Sequence, residues 1–475
     1  MKLKIKNLEA GQLSLYVLIF GSVAIVILSG FILWADLSFK AAIRQTDRLL
    51  ALEIAESGIE YYRWHLAHVP DDFQDGTGEP GPYEHDFFDK NGNIIGKFTL
   101  EITPPSESSG VVIIKSTGTV DVDDSIERIV EARLALSSLA GYAIVSNDSI
   151  HIGQGAEVFG PIHSNGGISF NGIAHHIVTS TRETYDDPAH AGVEEYAVHT
   201  HINPADPLPP NPLQKRPSVF KAGRDFPVPA VDFDGIARDL SDIKTGAQAS
   251  GSYFGPSSAE GYRVVLKTND TFDLYKVNSQ IAPPAGCTND LSESDWGTWS
   301  IDSETFLNNY ALPSNGLIFF EDNAWIEGEI DGERLTLATG IFPESPGNYK
   351  HIIVNNNLTY SNINARDKLG LVTQGNIIIG MESTGDLRID AAIVAKNGRV
   401  GRFYYNPSCS PYHNRQSLTI YGMIATNEKY GFAYTDGTGY QQRSITYDPR
   451  LLSDPPPGFP SDAGFYEIIS WKELK

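Results

Sequence analysis

Cysteine is nearly missing: Cys287 and Cys409 are the only two in 475 residues. Zinc ribbons and thiol-redox pairs are thereby excluded, and Cys287–Cys409 is the one disulfide the composition permits, although spacing alone does not show that they meet. Positive charge is also short. Against 59 Asp and Glu stand 36 Lys and Arg, a formal net charge of −23. Such a chain repels polyanions, so a nucleic-acid partner is not expected. The familiar catalytic signatures are missing too. There is no G-x-S-x-G elbow, no Walker A loop and no H-E-x-x-H pair, and no enzymatic activity and no cofactor are expected.

Two further absences fall together at the N-terminus. No proline precedes Pro70, and no charge occurs from Ala10 to Ala35. The core of that stretch, Leu13 to Trp34, covers about 33 Å as a helix, enough to cross a bilayer, with Tyr16 and Trp34 placed as interface anchors. A cleaved secretory signal would have a shorter apolar run followed by small residues. The expectation is a retained single-pass anchor with the bulk of the chain extracytoplasmic. The basic tail, Lys2, Lys4 and Lys6, is placed inside, though Lys40, Arg44 and Arg48 follow the span. Helical spacing continues beyond the span through Ile43, Leu50, Ile54 and Tyr61, with Leu49, Leu52, Ile59 and Leu66 beside them. One rod from Leu13 to His68 is predicted, apolar all round below and amphipathic above. Gly58 is its weak point, at about 1 kcal/mol against alanine.

Turns are what the rest of the chain has in plenty, with 44 glycines and 28 prolines. After the acidic loop PDDFQDGTGEPGPYEHD, alternating stretches at Gly96–Thr103, Gly110–Val122 and Ile126–Leu136 read as strands. Asp89–Asn93 (DKNGN) reads as a hairpin turn. A small antiparallel sheet carrying the helix is expected. From about Gly141 a phrase recurs. VSNDSIHIG at Val145 aligns with VTQGNIIIG at Val372, and GPIHSNG at Gly160 with AIVAKNG at Ala392 and GMIATN at Gly422. β-branched residues before an Asn corner suit a short strand and a turn of positive φ. Gly316–Gly340 has the same texture. Irregular repeats of this kind predict stacked turns of a β-solenoid, with a coincidental β-sandwich as the rival. Eight prolines from Pro204 to Pro229 mark an extended surface insertion, and the terminal FYEIISWKEL is expected to cap the solenoid.

The predicted fold is therefore α+β and mostly β. Its parts are a basic tail (1–9), a membrane helix (10–35), an amphipathic extension (36–69), a small sheet domain (70–140) and a parallel β-helix-like domain (141–475) with a Pro-rich insertion at 203–232. Within it, seven of twelve histidines fall between His151 and His201. His199 and His201 would share one face of a strand, and His175 and His176 are adjacent, so these four are the candidate metal ligands. Turn and surface histidines are the plainer reading. Tyr404, Tyr405, Tyr412, Tyr421, Tyr430, Phe432, Tyr434 and Tyr440 crowd one region. They would either stack on a sugar or protein partner or form ladders in the core.

The N-terminal layout resembles the PilX family of type IV fimbrial biogenesis proteins and related minor pilins. The resemblance covers about the first 70 residues and rests on Gly11, the apolar span, and the element Ala55, Glu56, Ser57, Gly58. It implies cleavage at Gly11–Gln12 by a prepilin peptidase and assembly through Leu13 to Trp34 with other pilins and the pilus machinery. Tyr16 stands where major pilins carry glutamate, as in some tip-type subunits, and Glu9 stands where a basic residue is more usual. Two other functions fit the β-rich body: a membrane-anchored protein that binds envelope or extracellular glycan without entering a filament, and a polysaccharide-degrading enzyme.

Overall fold

With no proline to break it, the N-terminal region forms one helix, α1, over Lys6–His68. At 1.5 Å per residue its 63 residues extend about 95 Å. The computed structural model describes residues 6–105, 111–136, 139–233, 236–363, 366–460 and 466–474. Lys2 and Lys4 of the basic tail lie outside them, and at Gly11 and Gln12 only the helical backbone is described. Two compact units emerge. One is Met1–Pro104, Val112–Leu134 and Ser470–Lys475; the other is Pro105–Val111 and Ala135–Ile469.

In the first unit α1 lies on a five-stranded sheet. Strands β1 (Tyr83–Phe88), β2 (Ile94–Thr103), β3 (Val111–Val120) and β4 (Asp123–Leu136) follow in order, and Tyr466–Leu474 pairs beside β4. The β1–β2 and β2–β3 ladders are antiparallel. The predicted turn at Asp89 is present: its carboxylate accepts the Asn91 and Asn93 N–H groups at 2.8 and 2.9 Å. The terminal strand departs from expectation, because it joins this sheet instead of capping the large domain. Its alternating pattern suits any open edge, and β4 offers one.

The second unit is mostly β, and its strands are largely parallel. One ladder runs through Leu317–Phe320, Arg334–Thr339, Lys368–Thr373, Asp386–Ala395, Asn414–Thr426, Ile144–Ser146, Ile162–Ser164 and Val178–Ser180, each pair parallel. Register places Ile318, Leu337, Leu371, Ile393, Ile424, Ile144, Ile162 and Val178 in one column, all buried. In the phrases at Gly160 and Gly422 that column is the apolar position, Ile162 and Ile424, whereas at Ala392 the register is shifted by one and Ile393, not Val394, stands in it. Helix α2 (Ile236–Ser250) covers the other side of the ladder with Leu240, Ile243 and Ala247 against Phe319, Val372 and Val394. Burial on both faces explains why these strands read as continuous apolar runs.

The order of the stack differs from the order of the chain. Ile144–Ser146, first in sequence, pairs with the end of Asn414–Thr426, nearly last. The Pro-rich segment and α2 then lead to the far end of the ladder, where Ser252–Phe254 pairs with Leu317–Phe320. The Asn corners also differ from expectation. Neither Asn147, Asn165, Asn397 nor Asn427 has positive φ. Asn165 instead donates to Asn147, and Asn147 to Asn427, both at 2.9 Å, in a side-chain ladder that Asn165 ends on the Val231 backbone. An antiparallel extension, Gly261–Lys267, Thr271–Gln280 and Ile301–Ala311, departs from the parallel pattern.

Candidate functional sites

The first site is α1 itself. From Leu13 to Trp34 its large apolar side chains stand open, with Leu13 69%, Tyr16 57% and Trp34 66% exposed. Among the described residues this is the one helix long and apolar enough to cross a membrane. Above it, Ala51, Ile54, Ala55, Ile59, Tyr62 and Leu66 are buried on the sheet, while Ile43 and Leu49 are exposed. The seat thus combines the expected Ile54, Ile59 and Leu66 with Tyr62 and two small residues, Ala51 and Ala55. Gly58 belongs to it. A side chain there would run into Ser116 Oγ and Phe98, so the residue read as a weak point is where helix and sheet approach closely. In the same element Ala55 is buried, Glu56 faces solvent, and the Ser57 hydroxyl donates to the Glu53 carbonyl at 2.8 Å.

The second site lies in the His-rich stretch. Thr184–Asp186 and Glu194–Tyr196 pair antiparallel, with a short turn, Pro188–His190, at the tip of the ribbon. Val198–His199 then joins Ile168–Phe170 in parallel. This path brings Asp187, His190, Glu195, His199 and His201 together. His199 Nε2 is 3.3 Å from Asp187 Oδ2 and 3.4 Å from Glu195 Oε2. His190 Nδ1 is 3.6 Å from Glu195 Oε2, and His201 Nε2 is 2.8 Å from Glu195 Oε1. Asp187 Oδ1 accepts the Ala189 N–H at 2.9 Å, and His199 Nδ1 meets the Tyr196 carbonyl at 2.8 Å. Burial alone would raise the Asp187 carboxyl, but its contacts with His199, Ala189 and Ser169 hold it well below the usual range. Burial would lower His199; the same carboxylates and the Tyr196 carbonyl raise it instead.

The structure splits the four predicted histidines. His199 and His201 are in the cluster, their rings 4.7 Å apart. His175 is elsewhere, stacked 3.9 Å from the Phe159 ring and 3.2 Å from Glu157, and His176 is exposed beside it in sequence. Asp187, His190 and Glu195 were missed. Their signal was the run DDPAHAGVEEYAVHTH, where carboxylates and imidazoles crowd within one hairpin's reach.

The two cysteines are joined, with Cα atoms 4.7 Å apart. The bridge packs with Trp325, Met381, Phe403 and Tyr405. The crowded aromatics divide: Tyr405, Tyr430, Phe432 and Tyr440 are buried in the interior, and Tyr404, Tyr412, Tyr421 and Tyr434 are half-buried.

Close by, His351 gives the domain an acid limit. Burial pushes its imidazole down to about 4, with Asp295 opposing and Lys350 adding to the fall. Its Nδ1 accepts the Asn376 N–H at 2.8 Å, so protonation must break that bond. The unfolded chain takes up this proton near pH 6.5 and the folded chain only near 4. Stability present above 6.5 is therefore lost as pH falls between them, by about 3 kcal/mol. Urea midpoints at pH 7 and pH 4.5 will measure the fall, and His351→Gln should flatten this part of the slope. An unchanged slope in that variant would assign the acid sensitivity to other groups.

No family model matches the sequence, and no curated protein does. Among solved structures, the chain is similar to the crystal structure of the competence-associated pilin ComZ from Thermus thermophilus, at 13% identity over 90% of this chain and 98% of that one. The TM-score is 0.28, too low for the superposition to establish a common fold.

Proposed function

We propose that the chain is a membrane-anchored structural protein of the type IV pilus or pseudopilus kind, a minor pilin or tip subunit that displays its β body outside the cell. One observation carries the reading. A single helix is bare and apolar along Leu13 to Trp34, then seats Ala51 to Leu66 on a small antiparallel sheet. A rod of that kind sits in lipid before assembly and packs against like rods afterwards, since the same apolar surface serves both. Its partners are membrane lipid, other pilins and the assembly machinery, and the stacked parallel turns support reading the body as a β-solenoid. Surface adhesion is the role proposed for that body.

A catalytic reading gains little. In the open groove of about 340 Å³ lined by Glu304 and Glu327, both carboxylates are tied to Arg263.

The test is the mature N-terminus together with sheared pili. A chain beginning at Gln12 and recovered in the pilus fraction is expected. An intact Met1, with the protein confined to membranes, would favour the tethered glycan-binding reading instead.

A further inference from the structure

We propose that Asp187, Glu195 and His199, completed by His190, form a binding site for a divalent transition metal of the zinc type. Three buried atoms converge: Asp187 Oδ2, Glu195 Oε2 and His199 Nε2. None makes a well-directed hydrogen bond. The second polar atom of each of these three side chains is engaged, and the buried Ser169 hydroxyl also faces Asp187. Asp187 Oδ1 accepts from Ala189, Glu195 Oε1 is met by His201, and His199 Nδ1 faces the Tyr196 carbonyl.

That last contact decides the chemistry. A carbonyl only accepts, so His199 Nδ1 carries the proton, and in the neutral ring Nε2 is left with a lone pair. The lone pair points at two carboxylate oxygens, 3.3 and 3.4 Å away. A lone pair at that spacing from two carboxylate oxygens is repelled unless a proton on Nε2 or a metal ion lies between them. The spacing also suits one. Ligands about 2.0–2.1 Å from a tetrahedral ion lie about 3.3–3.4 Å from each other. His190 Nδ1, half exposed, lies 3.6 Å from Glu195 Oε2 and within 4.8 Å of an Asp187 carboxylate oxygen, so a small inward shift would make it the fourth donor at the mouth. An Nδ1–H held by a backbone carbonyl is also how metal-binding imidazoles are usually oriented. Two imidazoles with two carboxylates favour zinc over calcium or magnesium, which prefer oxygen alone.

The rival arrangement is an imidazolium at His199 held between the two carboxylates without metal. Full-length protein in detergent micelles, stripped with a chelator, will be titrated with zinc chloride by calorimetry and its melting temperature followed. One zinc per chain and a raised melting temperature are expected. His199→Gln and Glu195→Gln should each weaken binding about 100-fold or more, and His190→Ala, at the exposed mouth, should weaken it in a protein that circular dichroism shows to be folded. His175→Gln should bind as the parent does. Absence of saturable zinc uptake, uptake unchanged in folded His190→Ala and Glu195→Gln proteins, or tighter binding of calcium than zinc would each overturn the proposal. So would a doubly protonated His199 ring, seen by nitrogen NMR at neutral pH in zinc-saturating buffer.

Discussion

Replacing Gly118 by valine is expected to lower the stability of the helix-on-sheet unit by about 3 kcal/mol or more. A Cβ on Gly118 would lie 2.2 Å from the Ala51 carbonyl oxygen and 2.5 Å from the Ala55 nitrogen. Both are backbone atoms of α1, so no rotamer change relieves the clash and the helix must rise from the sheet. At Gly58, on the facing side, the added carbon would meet Ser116 Oγ at 2.3 Å and Phe98 at 2.9 Å. Those are side chains, and Ser116 can turn. Alanine there also regains about 1 kcal/mol of helix propensity, so Gly58→Ala should be milder by several fold in equilibrium constant. Hydrogen exchange across β2 and β3 (94–120) in detergent will read the difference. Equal protection in Gly118→Val and the parent would mean that α1 is not seated as described, and the function proposed for it would lose its structural basis.

How much of this was legible in the sequence depends on the range of the interaction. The uninterrupted helix was legible because proline and charge act locally, and so was the Asp89 turn, which is closed by one side chain on its own backbone. The aliphatic column was legible as a phrase because each rung repeats the environment of the last. Its order was not. Ile424 stacks on Ile144, yet nothing near either residue says which rung is its neighbour. The corner asparagines were assigned a backbone role when their energetic role is between rungs. The metal-ligand candidates were half legible: two imidazoles two positions apart were conspicuous, whereas Asp187 and Glu195 meet them only because a ribbon folds back. Half of the helix seat, Ile54, Ile59 and Leu66, was legible as apolar residues at helical spacing, and its small residues were not. Close approach of a helix to a sheet is made by what is missing, at Ala51, Ala55 and Gly58.

Arg402→Met is expected to destabilise the large domain by about 4 kcal/mol. Arg402 is wholly buried. It donates to Ser383 Oγ at 2.9 Å, to the Met381 carbonyl at 3.0 Å, to the Tyr412 carbonyl at 2.6 Å, and to the Gly380 carbonyl. Its guanidinium also lies 4.6 Å from the centre of the Tyr405 ring. Burial pushes it down to about 10, which leaves it charged at neutral pH. Methionine fills much of the volume but leaves the Gly380 and Tyr412 carbonyls without this donor, while the Met381 carbonyl keeps Arg415 and the Ser383 hydroxyl keeps Tyr440. Arg402→Lys keeps the charge and loses the planar fork that reaches both the 380–383 turn and Tyr412, so it should recover less than half of the loss. The disulfide at Cys409 still tethers the 407–412 segment in either variant. The loss should therefore appear first as hydrogen exchange at 380–383 and 410–413, before global melting. If Arg402→Met proves as stable as the parent, relief from burying a cation has offset the broken bonds, and the residue is dispensable to the fold.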